Sequence, residues 1–413
     1  GAGDPRLPDR LPGRPPLPDP ALAAGVLALL ASPLLERQLP LATQSALWTA
    51  GYALHALLMT GYAAHQWRSA PPTAAPAPTE QAAPIAIGQG LRGLFLAVLP
   101  SSLLLSVTAH LSTDLAPMPW LWVLPLVLYL LSIPLARAVP RRLVCSAMPV
   151  LVTGLAVTLA LDLRQPHALL VPLHLATLAV IALVCHGELA LSALSLRGWV
   201  GLLLALGSAL GGAFSAFLAP AIFDTAIEYP LLLALAGLAL WRPRAMAGDR
   251  RARRFDLLVP TGIVELTVAL FVLAQALPPP WPRLRWAVAL GVPALICLGS
   301  WRRPLRFSLG VAALLLAGGL IAGDPRPLIH VERGFFGVIR VLADPRAHTR
   351  VLMQGRTAHG LQSTVPARAW EPLAEYDLDG PIGQVFVAGA GRLRRVGVVG
   401  LGAGTLAAYA SPD

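Results

Sequence analysis

Lysine and asparagine are both missing from this chain of 413 residues, and all 32 of its basic side chains are arginine. A GC-rich coding bias leaves that mark, so the net charge of +11 is read first as genome composition and only second as a binding surface. Charge itself is scarce. Charged residues make up 13% of the chain and hydrophobic ones 56%, which excludes an ordinary soluble domain of this size. A nucleic-acid binder would gather its arginines on one soluble face among aromatics, whereas these lie mostly in short loops between apolar runs. Nucleic acid is therefore not an expected partner; the charge marks topology. Cysteine is scarce too: Cys145, Cys185 and Cys297 each fall within an apolar segment, without CxxC spacing or a paired histidine. No metal site and no disulfide framework are expected from them.

What is present is a series of long apolar runs. A helix crossing a bilayer needs about 20 mostly apolar residues, because its backbone groups then pair internally. About eleven candidates meet that rule, near 21–35, 44–64, 91–109, 119–138, 143–161, 167–186, 199–222, 229–241, 257–277, 285–300 and 306–322. The expected architecture is thus a polytopic α-helical membrane bundle over 21–322, with the lipid bilayer as its partner. A Pro-rich segment, 1–20, precedes it and lacks the layout of a signal peptide; opening on Gly1, it reads as the edge of a longer chain. Ser69 to Gln89, rich in Pro and Ala, reads as a linker outside the membrane.

Topology sets a conflict. Arg137, Arg141 and Arg142, the cluster Arg242 to Arg254, and Arg302, Arg303 and Arg306 share one side in this helix count. The positive-inside rule assigns that side to the cytoplasm, and the same count puts the C-terminal tail on the other. One segment is therefore taken as miscounted, the short 229–241 run or the final one being the first to question. The expectation is a bacterial-type inner membrane with the tail in the cytoplasm.

From residue 323 to 413 the chain is charged, punctuated by Gly and Pro, and has no run long enough to span. Phe335 to Leu342 and Thr349 to Met353 flank Ala343-Asp344-Pro345-Arg346 as a β-hairpin would. Arg395 to Val399 reads as a buried-type strand entering Gly400-Leu401-Gly402-Ala403-Gly404, with a helix beginning near Thr405. Alternate glycines let a backbone turn sharply and approach a ligand, and a helix start presents free amides. Dinucleotides and S-adenosyl ligands both suit such a turn, as does tight packing alone; the full GxGxxG register is absent.

The chain resembles the membrane-fused spermidine synthase-like proteins, in which a major-facilitator-like part is joined to a polyamine aminopropyltransferase domain. The resemblance runs through Thr43-Gln44-Ser45, Ser112-Thr113-Asp114, Cys185-His186-Gly187-Glu188 and Glu228-Tyr229-Pro230 in the apolar part. In the tail it rests on Glu332-Arg333-Gly334, on Gln354-Gly355-Arg356-Thr357-Ala358-His359-Gly360, on Gly380-Pro381-Ile382-Gly383 and on the glycine turn. It implies that 323–413 is the N-terminal part of a Rossmann-like α/β domain with a leading β-hairpin. Its cofactor would be decarboxylated S-adenosylmethionine or S-adenosylmethionine, lined by Gly400, Leu401, Gly402, Ala403 and Gly404. A small amine would be the acceptor, with His359 and Gln362 near the ligand. Family enzymes place an acidic residue after the second strand and a proton-accepting Asp later. Neither is here, since the chain stops at Asp413 where the first helix of that fold should end. No catalytic residue is assigned, and the chain alone is expected to be inactive.

Inside the apolar runs, Glu265 and His174 stand out, with Asp114, His186 and Glu188 near helix ends. An ionisable group in mid-bilayer faces a bundle interior or a water path. Glu265 is thus the candidate for a carrier function, against helix packing as the plain reading. A carrier with a regulatory tail, or a membrane scaffold, is the alternative to an enzyme.

Overall fold

The computed structural model describes residues 20–69, 86–115, 118–192, 199–241, 250–276, 282–321, 326–334, 337–355, 357–390, 392–393 and 395–410. The Pro-rich segment up to residue 19, most of the Ser69 to Gln89 linker and Phe335 lie outside them.

Helix α1 (Pro20–Gln38) and helix α2 (Leu41–Ser69) come first. Helix α3 (Ile87–His110) runs on into a π-helical turn, Leu111–Leu115. Next are α4 (Trp120–Ala138), α5 (Arg141–Ala160) and α6 (His167–Leu191). Helix α7 (Val200–Ala213) continues through a second π turn to Ile222, and α8 (Glu228–Leu235) tightens into a 3₁₀ helix, Ala236–Leu240. Helices α9 (Arg250–Gln275), α10 (Pro282–Gly299) and α11 (Pro304–Ile321) complete the bundle.

Among the described residues, seven helical stretches are long and apolar enough to cross a membrane: Ile87–Leu115, α4, α5, α6, Val200–Ile222, Arg254–Gln275 and α11. Glu228–Leu240 and Trp286–Gly299 are apolar but shorter. Each of the eleven expected runs forms a helix, but α1, α2 and these two shorter segments are not among the seven. Helix α2 has the length, yet Thr43, Gln44, Ser45, Thr49, His55, Thr60 and His65 dilute its apolar character, and its side chains are nearly all exposed.

Small residues let the helices approach. A Cβ on Gly207 would lie 2.3 Å from that of Ala97, and one on Gly211 would lie 2.6 Å from the Val98 carbonyl oxygen. This Gly-x-x-x-Gly face of α7 therefore lies directly on the backbone of α3. Ser101 Oγ donates to the Ser208 carbonyl (2.9 Å) and Ser102 Oγ to that of Gly211 (3.1 Å), adding polar contacts to the same seam. Gly318 of α11 meets Ala160 of α5 in the same way.

Chain direction follows from the ends that meet. Arg92 near the start of α3, Arg141 at the start of α5, Glu188 near the end of α6 and the Trp241 carbonyl after α8 converge at one end. Short as it is, the segment Glu228–Leu240 thus runs from one end of the bundle to the other. Eight α-helical residues and five 3₁₀ residues reach about 22 Å, because 3₁₀ turns rise more per residue.

After α11 the tail forms a four-stranded antiparallel meander in the order β1 (Leu328–Gly334), β2 (Gly337–Asp344), β3 (Thr349–Gln354), β4 (Thr357–Ser363). The expected hairpin is β2–β3, its turn closed by Asp344 Oδ1, which accepts from the Arg346 and Ala347 amides at 3.1 and 3.0 Å. Strands β1 and β4 extend it. Helix α12 (Pro381–Ala388) follows. Arg395 to Val399, expected as a buried strand, is not one: its described residues have no sheet partner, and Val399 is fully exposed. An apolar run of this kind becomes a strand only when neighbours pair with it on the sheet, and none of the four strands does. The helix expected near Thr405 is a short 3₁₀ turn, Thr405–Tyr409.

Candidate functional site

The glycine turn is shaped by its backbone. Gly400, Gly402 and Gly404 take φ values of +89°, +54° and +73°, a region closed to most side chains. The turn is anchored on β4: the Ala403 amide donates to the His359 carbonyl at 3.3 Å. Gly402 and Gly360 are both needed for that approach, since a Cβ on Gly402 would lie 2.9 Å from the His359 oxygen and one on Gly360 2.4 Å from Ala403 Cβ. Tyr409, whose hydroxyl donates to the Tyr376 carbonyl, stacks on Phe386 of α12 at 4.5 Å between ring centroids. Strand β4, α12 and the 3₁₀ turn thus hold the glycine segment in place.

Of the residues expected at a cofactor, His359 is half-buried beside the turn, and it meets the turn through its backbone carbonyl. Gln362 is exposed two residues beyond Gly360. Leu401 is also exposed. An S-adenosyl ligand would find a turn able to admit a close approach, but these residues supply only one wall. They do not enclose a nucleoside.

The polar groups of the bundle gather at its two ends. Glu265 is on the exposed face of α9, not in the interior that an ionisable group in an apolar span was expected to face. The other four are drawn inward. Glu188, 3% exposed, accepts from Arg92 Nη2 at 2.9 Å and from Arg141 Nε and Nη2 at 3.0 and 2.7 Å. His186 lies near it, its Nδ1 2.8 Å from Ser132 Oγ. Asp256 is buried at the same end and paired with Arg306 (2.9 Å).

His174 and Asp114 sit at the opposite end, with two partners that the sequence reading did not single out. The Tyr229 hydroxyl is 2.6 Å from His174 Nδ1, and His110 Nδ1 is 3.0 Å from Asp114 Oδ2. The His110 ring lies against both His174 (4.9 Å between centroids) and Tyr229 (5.3 Å). The π turn carries Asp114 at the end of α3, and such turns recur at functional sites. One signal was readable: His110 and Asp114 are four apart, one helical turn.

The sheet docks on this end. Arg333 of β1 makes a two-pronged pair with Glu228 (2.9 and 2.7 Å) and donates to the Thr225 carbonyl (2.6 Å). Gly355 of the β3–β4 turn stands over Asp114, so close that a Cβ there would lie 3.4 Å from Oδ1. Arg340 Nη2 donates to the Gly355 carbonyl at 2.8 Å. In the α5–α6 loop, burial holds Arg164 below the usual guanidinium range, with the Asp114 charge opposing that shift. The Arg-bearing ends of α4, α5, α9 and α11 are therefore at the far end of the bundle from the sheet.

Comparison with family models, with curated proteins and with solved structures gives no match for this chain.

Proposed function

We propose that the chain is the multi-pass membrane part and the opening segment of a spermidine synthase-like protein. The membrane reading rests on an inverted exterior. Large apolar side chains face outward, among them Trp122, Leu257, Leu273, Leu295 and Leu320, each more than half exposed, while Ser102, His174, His186 and Glu188 are buried. A water-soluble bundle that bared so much apolar surface would aggregate, whereas in lipid the surface is solvated. Prolines inside α3, α4, α5, α6, α9 and α10 fit the same reading.

The synthase-like reading is supported by one observation above others: three alternating glycines in left-handed conformations, stapled to the last strand of an antiparallel sheet. It names an S-adenosyl-type ligand for Gly400 to Gly404 and an amine as acceptor. The coding sequence beyond Asp413 tests it. An acidic residue about 20 positions past the turn and a later Asp-bearing loop are expected, and the complete protein in detergent should bind a labelled S-adenosyl ligand. Gly402→Val should abolish that binding and leave the helical circular dichroism unchanged. A complete protein that binds no such ligand refutes the reading.

A second reading, a carrier or scaffold with a non-catalytic tail, is favoured by the end on which the sheet docks. The positive-inside rule puts the Arg-bearing turns in the cytoplasm and therefore the sheet outside it, away from the cell's S-adenosyl pool. In this reading Glu265, on an outer face, is an unsuitable transport group, and the buried cluster around His174 takes its place.

A further inference from the structure

We infer that the arginine end of the bundle holds one anionic phospholipid, with an acyl segment in the cleft between α4, α5 and α6 and the phosphate on Arg137 and Arg142. The inference rests on the membrane reading above. The cleft encloses about 360 Å³, its mouth included. That is near the lower end of ligand clefts, about 300–1,000 Å³, so part of a molecule fits and the rest lies outside. Small residues open it: Ala136 of α4 and Gly187 of α6 face each other, and a Cβ on Gly187 would lie 3.9 Å from the Ala136 carbonyl oxygen. Val139, Val144, Leu183 and Leu191 make the wall apolar. Its two charged side chains, Arg141 and Glu188, are engaged with each other. Glu188 accepts from Arg141 Nε and Nη2 at 3.0 and 2.7 Å, and from Arg92 Nη2 at 2.9 Å. What enters the cleft is therefore apolar.

The surroundings of the cleft are cationic. Arg137 in the last turn of α4 and Arg142 in the first turn of α5 are exposed, and each is one residue from a lining position, Ala136 and Arg141. Only Val139 and Pro140 separate the two helices, so both guanidinium groups are held at one level of the membrane. With Arg92 and Arg141 they set four arginines beside Glu188. The complement of this arrangement is an anion that carries its own apolar chain, which describes an acidic phospholipid. In a zwitterionic lipid the headgroup cation offsets the phosphate and meets the arginines unfavourably. The positive-inside rule puts this end in the cytoplasm, and basic clefts between spanning helices on that side take anionic headgroups.

The test gives the whole chain, in a neutral detergent, equal amounts of dioleoyl phosphatidylglycerol and dioleoyl phosphatidylcholine, and counts bound lipid by native mass spectrometry. An arginine near an anionic headgroup is worth about fivefold, so the first lipid bound should be phosphatidylglycerol by about 25-fold. Arg137→Ala with Arg142→Ala should bring the two lipids close to parity. Arg254→Ala with Arg302→Ala removes equal charge from exposed positions elsewhere at this end and should leave the preference unchanged. Gly187→Leu fills the cleft and keeps every charge; it should weaken phosphatidylglycerol binding by about tenfold, the loss of roughly two buried methylenes. Glycerol phosphate, a headgroup without chains, should not displace the lipid. Parity in the wild type overturns the site. So does a preference lost equally in the Arg254 and Arg302 pair, unweakened binding in a folded Gly187→Leu, or displacement by glycerol phosphate. Should Gly187→Leu lose its helical circular dichroism, the two arginine pairs decide. A chain that stays dispersed without detergent refutes the membrane reading and the lipid site with it, whereas a chain that needs detergent and shows parity overturns the site alone.

Discussion

Gly360→Ala puts the attachment of the glycine turn to a direct trial. Gly360 lies on β4 with φ +152°, and the added methyl would sit 2.4 Å from Ala403 Cβ. Apolar carbons rest at about 3.5–4.0 Å, so an overlap of at least about 1 Å has to be relieved. Overpacking of this kind costs about 1–3 kcal/mol. Two partners could yield. Strand β4 is held along its length by β3, from Thr349↔Ser363 to Gln354↔Thr357. The turn is held by the Ala403 amide bond to His359 at 3.3 Å, worth about 0.5–1.5 kcal/mol. The turn therefore lifts away and the sheet stays. Exchange of the amides from 401 to 409 should accelerate by about 5- to 150-fold, the equivalent of 1–3 kcal/mol, while β2 and β3 keep their protection. Adding Ala403→Gly to the variant removes the atom at 2.4 Å and leaves Thr405 Oγ1 at 3.3 Å and the residue 403 nitrogen at 3.5 Å as the nearest atoms. Most of the protection should return, less the strain of a non-glycine residue at that φ, about 1 kcal/mol. Unchanged exchange in the single variant refutes the argument. So does an acceleration as large in the double variant, which would place the whole effect in the backbone angle.

The other expectations concern the bundle, the tail surface and orientation. Gly207→Ala should destabilise the bundle by about 1–3 kcal/mol through the contact with Ala97, read as a lower thermal midpoint in detergent; an unaltered midpoint would mean that α3 and α7 are not in register as described. Glu188→Gln leaves Arg92 and Arg141 facing a neutral amide, and because those arginines are 26% and 22% exposed the loss should be about 2 kcal/mol, below that of a fully buried pair. Arg368 holds the exposed Glu371 carboxyl below its usual range. That pair therefore contributes above the usual carboxylate range and is lost as pH falls through the depressed value, and Arg368→Ala should raise the Glu371 midpoint seen by carboxyl NMR. Thiol-reactive labels of opposite sidedness on cysteines placed at the exposed Arg302 and Arg346 should react from opposite faces of the membrane; labelling of both from one face would overturn the docking geometry.

Most of the bundle was legible because helix formation in an apolar chain depends on local composition. The runs at 119–138, 143–161 and 167–186 are nearly the helices α4, α5 and α6. The errors lie where composition and structure part. Thr43, His55 and His65 keep α2 off the roll of spans although its length suffices, α1 is not on it either, and the runs at 229–241 and 285–300 are shorter helices. In the tail, the β2–β3 hairpin was readable from Asp344 and Pro345, since turn chemistry is local. Strands β1 and β4 were not, because their pairing depends on β2 and β3 and on the clamp of Arg333 to Glu228, residues 105 apart in sequence. Arg395 to Val399 failed for the converse reason: its composition suits a strand, and strand formation needs partners that the four-stranded meander does not supply.

The same distinction accounts for the polar sites. Glu265 was conspicuous as a charge in an apolar run, and a one-dimensional reading has no means of telling which face of the helix it occupies. His110 and Tyr229 were inconspicuous, each one ring among many, and became a site only when α3, α6 and α8 brought them against His174. The apparent conflict over sidedness has a similar origin. Leaving the 229–241 run out of the count would have split the arginines, with Arg137, Arg141 and Arg142 on the side of the tail and the two later clusters opposite it. The run counts, because its final turns are 3₁₀ and rise further per residue, and it ends at Trp241 beside Arg92, among the arginine-held carboxylates. With that segment restored, the arginines and the sheet lie at opposite ends. Any function assigned to the glycine turn has to be compatible with the compartment that this separation implies.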